Sequence, residues 1–93
     1  MHIECLCISF KLDGCHSLKD KRQRLSGLRD RYGKRPEMAV IESGGADIHE
    51  QAEWSFIVVA ANRANADRLL QKLEEEIATT VDARIVSASR HVL

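Results

Sequence analysis

The chain has 93 residues, a length that suits one domain over residues 1–93 with a single modest core. Apolar residues make up 44% and charged residues 30%, as in an ordinary soluble protein, and no apolar run approaches the roughly 20 residues of a membrane span. There is no visible secretory signal, and the three cysteines do not suggest a disulfide framework. We therefore expect a cytoplasmic protein with reduced thiols and no membrane partner.

The formal net charge is zero, but the charge is divided unevenly along the chain. Residues 1–35 hold nine Lys and Arg against four Asp and Glu, a net charge of +5. Residues 36–93 hold five against ten, a net charge of −5. This asymmetry favours an anionic partner for the basic half. The alternative is that the two halves neutralise each other in the folded protein.

The first predicted element is a strand over residues 3–12, because side chains there alternate between two faces. One face carries the larger apolar side chains, those of Leu6, Ile8, Phe10 and Leu12. The other carries Ile3, Cys5 and Cys7. Asp13-Gly14 then breaks the strand.

A helix is predicted after Ser17, because Ser17 followed three residues later by Asp20 is a capping-box pattern. Its apolar face consists of Leu18, Leu25, Leu28 and Tyr32. Gly33 should end the helix, and Pro36 should prevent it from restarting.

The remaining elements are two strands, a helix and a last strand. Residues 38–41 and the β-branched stretch 54–61 are predicted strands, with a turn at 43–47 between them. Asn62 or Asn65 can cap the second helix. Its apolar positions are Ala66, Leu69, Leu70, Leu73 and Ile77. Residues 83–88 form the last predicted strand.

The element order β-α-β-β-α-β indicates an α+β fold of the ferredoxin-like kind. Right-handed crossovers place the first and third strands in the centre of an antiparallel four-stranded sheet, with both helices on one face. The first and fourth strands should then lie side by side and antiparallel.

A resemblance to a known family agrees with this fold. The segment Gly14-Cys15-His16-Ser17-Leu18-Lys19-Asp20-Lys21-Arg22 resembles the signature of the bacterial YlxP-like family, also called domain of unknown function 503, which contains Ser-Leu-Lys-x-Lys-Arg. Further similar positions are Ala39-Val40-Ile41-Glu42, Asp47, Gln51-Ala52-Glu53 and Val92-Leu93. The resemblance implies a ferredoxin-like fold and no established activity. Many members are encoded beside translation and ribosome-maturation factors, which implies a link to RNA or the ribosome.

The candidate nucleic-acid site is the basic first helix, with Lys19, Lys21, Arg22, Arg24 and Arg29. Basic residues in a first helical turn oppose the helix dipole at a cost of a few tenths of a kcal/mol, which binding of an anion there would explain. Lys19, Arg22, Ser26 and Arg29 lie on one helix face that can follow phosphates. The alternatives are a solvated charged face that pairs with Asp20 and Asp30, or a structural network of Lys21 and Arg22 with acids such as Glu42.

The sheet face away from the helices, or an edge strand, is the predicted interface of a homodimer or higher oligomer. The alternative is that long side chains from the rim cover this face. The face should present Cys5, Cys7, Ile57 and Val59, and an exposed apolar patch with few charges is typical of an interaction surface. It lacks the aromatic side chains with which sheet-type RNA readers stack bases.

Enzymatic and metal-dependent functions have weaker support. Cys5, Cys7, Cys15, His16, His2 and His91 do not have the spacing of a zinc site. The adjacent pair Cys15 and His16 has no evident orienting group for nucleophilic catalysis. We therefore predict no catalytic residue, metal site or cofactor, and a module that binds RNA or ribosomal particles. The alternatives are a protein–protein interaction module and, as a minor one, a small hydrolase or metal carrier.

Overall fold

The computed structural model describes all residues, 1–93. Its elements are β1 (His2–Lys11), α1 (Leu18–Tyr32), β2 (Met38–Gly44), β3 (Gln51–Ala60), α2 (Arg63–Thr80) and β4 (Arg84–Val92). The sheet order is β2-β3-β1-β4, and all three pairings are antiparallel. The ferredoxin-like prediction is confirmed, with the first and third strands in the centre and the fourth beside the first.

The core lies between the helices and one face of the sheet. Along β1, Leu6, Ile8 and Phe10 are buried, as the alternation predicted. Their neighbours Phe56 and Trp54 on β3 are the direct partners of Leu6 and Ile8, so these side chains share the helix-covered face. The two helices contribute seven side chains to this apolar core, those of Leu25, Leu28, Tyr32, Ala66, Leu70, Leu73 and Ile77.

The predicted capping residues begin both helices. Ser17 precedes α1 in an extended conformation, and its hydroxyl accepts a hydrogen bond from the Asp20 N–H at 3.0 Å. Asn62, rather than the alternative Asn65, caps α2, and its side chain accepts from the Asn65 N–H at 2.9 Å. Each cap satisfies one of the free N–H groups of the first turn, so the sequence signal and the helix start coincide.

Three strands are longer than the apolar pattern predicted. β2 continues to Gly44, β3 begins at Gln51 instead of 54, and β4 continues to Val92 instead of 88. The added part of β4 is exposed and mostly polar, and it is held by backbone pairing with β1, with Ser89 opposite Cys7 and Arg90 opposite Leu6. A ladder of backbone hydrogen bonds needs no apolar side chain, so hydropathy did not reveal this extension. Neither helix is both long and apolar enough to cross a bilayer.

Candidate nucleic-acid interface

α1 carries all five basic residues of the predicted site, but the structure divides them into two groups. Lys21 and Arg24 point into the protein and are bound by it, so we call them the inner cations. The outer cations, Lys19, Arg22 and Arg29, are exposed to solvent.

Lys21 is buried, with only 3% of its surface exposed. Its Nζ donates to the carbonyl oxygens of Gly45 at 2.6 Å and Ile48 at 2.9 Å, and lies 3.0 Å from Oε2 of Glu42. That carboxylate oxygen has no other partner, so the ion pair with Lys21 is what compensates its burial. Lys21 therefore fastens the loop between β2 and β3 to α1, in the structural network with Glu42 that the sequence left open as an alternative.

Arg24 joins two loops. Its Nε donates to the carbonyl oxygen of Asp82 and its Nη1 to that of Asp13, both at 2.9 Å. The Asp82 carboxylate lies 3.3 Å from Nε, but it is largely exposed and its ion pair is weakened by solvent. Arg24 thus holds the loop after β1 against the loop before β4, and its donors face the protein rather than solvent.

The outer cations have no ion pair and no hydrogen bond within the protein, and neither Asp20 nor Asp30 pairs with them. Lys19, Arg22 and Arg29 follow one another at helical spacings of three and seven residues, so they occupy one face of α1. The local pairing that would have made this an ordinary solvated face is absent from the structure.

A groove of about 420 Å³ runs between α1 and the loop that follows β2. Arg22, Ser26 and Arg29 line its helix side, Asp47 lines its loop side, and Trp54 from β3 lies at its base. The Arg29 guanidinium carbon is 5.7 Å from the centre of the Trp54 ring, a cation–π arrangement. The sequence pattern does not reveal this groove, because its wall depends on the path of a loop that Lys21 holds in place.

The predicted interface residues lie together on the open face of the sheet, the face away from the helices. Cys5 on β1 lies opposite Ile57 on β3. Val59 is 42% exposed, Cys7 and Ile57 are half-buried, and Cys5 is buried, so this face is less open than the sequence predicted. The Cys5 and Cys7 sulfurs are 3.6 Å apart. Burial raises the pKa of the Cys5 thiol, and the neighbouring Cys7 adds to the shift, so Cys5 stays protonated at neutral pH.

The other cysteines and histidines singled out in the sequence do not come together. Cys15 is buried in the core and its thiol donates to the carbonyl oxygen of Ser17 at 3.4 Å, while His16 is exposed. His2 bonds Glu4 and His91 bonds Ser89. No group of three or more His, Cys, Asp or Glu side chains is placed to hold a metal ion.

These features define a ferredoxin-like α+β protein whose first helix presents cations to solvent beside a tryptophan-based groove. The chain belongs to the family described as protein of unknown function (DUF503), whose model matches residues 3–90, and the resemblance seen in the sequence is confirmed. The description of that family assigns it no activity. No curated protein matches the sequence. Among solved structures, the chain is similar to the "Solution structure of SecDF periplasmic domain P4" at 11% identity and a TM-score of 0.49, covering 98% of this chain and 88% of that one.

Proposed function

We propose that this protein is a non-enzymatic module that binds RNA, free or within a ribosomal particle, through the outer cations of α1. The observation that carries the proposal is that Lys19, Arg22 and Arg29 share one exposed helix face and have no acidic partner within the protein. Two other cations of the same helix, Lys21 and Arg24, are bound internally. The outer cations, which no acidic group of the protein neutralises, are available to an anionic partner.

The geometry of the outer face suits a phosphate backbone. From Lys19 to Arg29 the helix advances ten residues, about 15 Å at 1.5 Å per residue, which spans a few successive phosphates. Guanidinium groups bind phosphate oxygens with paired hydrogen bonds, and lysine adds a point charge. Such contacts position a protein on RNA without reading its sequence, so we expect binding to depend on salt and on the form of the RNA.

The test is binding of the purified protein to ribosomal RNA and to small and large ribosomal subunits across a salt series. We expect the logarithm of the affinity to fall linearly with the logarithm of the salt concentration, with a slope of about two to three for three phosphate contacts. The variant Arg22→Glu/Arg29→Glu should lose roughly tenfold or more in affinity at low salt, because it removes two contacts and repels phosphate.

The matched control is Arg63→Glu/Lys72→Glu on α2, which changes the net charge equally at two exposed residues that have no ion pair. It should retain most of the affinity. Equal losses in both variants would mean that only the overall charge matters, and would contradict the proposed site. If nothing binds at low salt, while partners captured from lysate survive nuclease treatment, the outer cations serve a protein partner instead.

Self-association through the open sheet face stays a prediction. The face is poor in charge, and beside Val59 it exposes 57% of Ile41 on the edge strand β2. Sedimentation at several protein concentrations, for the parent and for Val59→Lys, tests it. A concentration-dependent dimer that the lysine abolishes would support the interface, and a parent that stays monomeric at high concentration would contradict it.

A further inference from the structure

The groove beside the outer cations carries polar groups that phosphate binding alone does not use. Trp54 is only 5% exposed, and its indole N–H is closed to solvent and has no hydrogen-bond partner. A buried donor without an acceptor destabilises the free protein, and an acceptor supplied by a ligand would remove that cost. Trp54 therefore lines the groove with an unpaired donor, which a bound molecule reaches once a side chain that covers the ring, such as Arg29, moves aside.

The rim of the groove offers both kinds of hydrogen-bonding group. The guanidinium groups of Arg22 and Arg29 are donors, and the carboxylates of Asp30 and Asp47 are acceptors. None of the four is engaged in an ion pair. A purely anionic ligand such as inorganic phosphate would use the arginines but would be repelled by the two carboxylates. The groove suits a ligand that carries donors and acceptors side by side.

The arrangement of Arg29 over the Trp54 ring adds a stacking element. Arginine planes and aromatic rings are the usual platforms for unpaired nucleobases. Arg29 is exposed and is bound by no acidic group, so its side chain can leave the ring to make room for a planar ligand. A volume of about 420 Å³ lies within the range of small-ligand pockets.

We infer that the groove between α1 and the β2–β3 loop takes one unpaired base of a single-stranded RNA segment, with guanine as the preferred base. This rests on the proposed function, because the outer cations would hold the adjoining phosphates. Guanine places an acceptor, O6, beside the donors N1–H and N2–H₂. The donors match a carboxylate such as Asp47. The acceptor matches Arg22 or Arg29, whose guanidinium group has five N–H donors and can bind a phosphate at the same time.

The experiment uses three RNA octamers, UUUGUUUU, UUUAUUUU and UUUUUUUU, with binding measured by anisotropy over a salt series. Trp54 is the only tryptophan, so its intrinsic fluorescence reports directly on the groove. We expect the guanine octamer to bind about tenfold more tightly than the uridine octamer and to alter Trp54 emission most strongly. The slope of affinity against salt should be the same for all three, because it reports on the phosphates.

Two variants separate the groove from the outer cations. Ala46→Phe fills the groove from its exposed loop side, and Asp47→Asn removes one acceptor with little change in size. In both variants the ratio of the affinities for the guanine and uridine octamers should fall to near one. The slope of affinity against salt concentration should stay unchanged. The matched control Ala78→Phe, at an exposed residue of α2, should keep the preference. Circular dichroism confirms that each variant is folded before the comparison.

The outcomes are distinct for the two proposals. Equal, salt-dependent affinity of the parent for all three octamers would overturn the groove inference and leave the phosphate-binding face intact. A guanine preference that survives both Ala46→Phe and Asp47→Asn would also overturn the groove inference. A lack of binding to any octamer and to ribosomal RNA at low salt would overturn the proposed function, and the groove inference with it.

Discussion

The inner and the outer cations of α1 are chemically alike and lie within eleven residues of each other, yet the fold treats them in opposite ways. Lys21 binds two loop carbonyls and Glu42, whereas Arg22, the next residue, makes no polar contact within the protein. A basic motif is therefore not a single functional unit. One lysine of Ser-Leu-Lys-x-Lys-Arg stabilises the fold, and its neighbours are left to solvent.

The difference follows from helix geometry. Lys21 stands four, seven and eleven residues before Leu25, Leu28 and Tyr32, so it occupies the buried face of α1. Arg22 directly follows Lys21 and Arg29 directly follows Leu28, so both lie one position around the helix from the buried face and point outward. Burying a lysine requires paired acceptors, and the β2–β3 loop supplies them. Variants of the two groups should therefore separate stability from binding.

The largest effect is expected for Lys21→Met. The substitution leaves Glu42 without its partner and removes the donor from the carbonyls of Gly45 and Ile48, which should lower the free energy of unfolding by on the order of 3 kcal/mol. Urea denaturation followed by Trp54 fluorescence measures it. The salt dependence of RNA binding by the molecules that remain folded should change little, because the outer cations are unaltered and Lys21 is buried. The preference for guanine should fall, because the loop that Lys21 holds forms one wall of the groove.

The control for that prediction is the double variant Lys21→Met/Glu42→Leu. It removes both charges, so part of the lost stability should return relative to Lys21→Met alone. If Lys21→Met were as stable as the parent and lost RNA binding, the division into inner and outer cations would be wrong.

Arg24→Met tests the second inner cation and should have a smaller effect, a loss of about 1 to 2 kcal/mol in unfolding free energy. Two hydrogen bonds to the carbonyl oxygens of Asp13 and Asp82 disappear, but both loops are near solvent and water can replace the donors. Lys11→Met, which removes an exposed cation without a partner, is the control and should stay within about 0.5 kcal/mol of the parent. Equal stability of the two variants would contradict a structural role for Arg24.

The sequence predicted the fold well because the relevant signals are local. Alternation in β1, the Ser17 and Asn62 caps and the helical apolar spacing each depend on residues within one turn or strand. The burial of Lys21 also had a local signal, its place on the face of Leu25 and Leu28, which its charge concealed. Its partners are 24 and 27 residues away, however, and no spacing rule indicates them.

The groove could not be predicted for a related reason. Its base, Trp54, is a core position of β3 by alternation, and its open side exists only because the loop after β2 is held away from Arg22 and Arg29. The loop path depends on Gly45, whose φ of +72° favours glycine, and on the Lys21 bonds. A site formed by tertiary contacts leaves little trace in a single sequence.

The buried face of α1 should also determine how stability responds to alkaline pH. Burial raises the pKa of Tyr32 above its ordinary value, so the folded state holds the phenol proton more firmly than the unfolded state does. The contribution of this pKa shift to the free energy of unfolding is fully present below about pH 10, the ordinary pKa of tyrosine. It is lost as the pH rises through the folded-state pKa. Tyr32→Phe should weaken this alkaline loss, measured as melting temperature between about pH 8 and 11. A parent and variant with identical pH profiles would contradict the assignment to Tyr32.

The smallest expected effect is a change in the free energy of unfolding when an outer cation, Lys19, is substituted. Lys19 lies in the first turn of α1, where its charge opposes the helix dipole, and it has no partner to compensate for this. Lys19→Glu should therefore raise the free energy of unfolding by a few tenths of a kcal/mol while it weakens RNA binding. Lys72→Glu, in the middle of α2, is the control and should show neither change. A loss of stability in Lys19→Glu would place Lys19 with the inner cations, whereas a gain in stability with unchanged RNA affinity would remove it from the binding face.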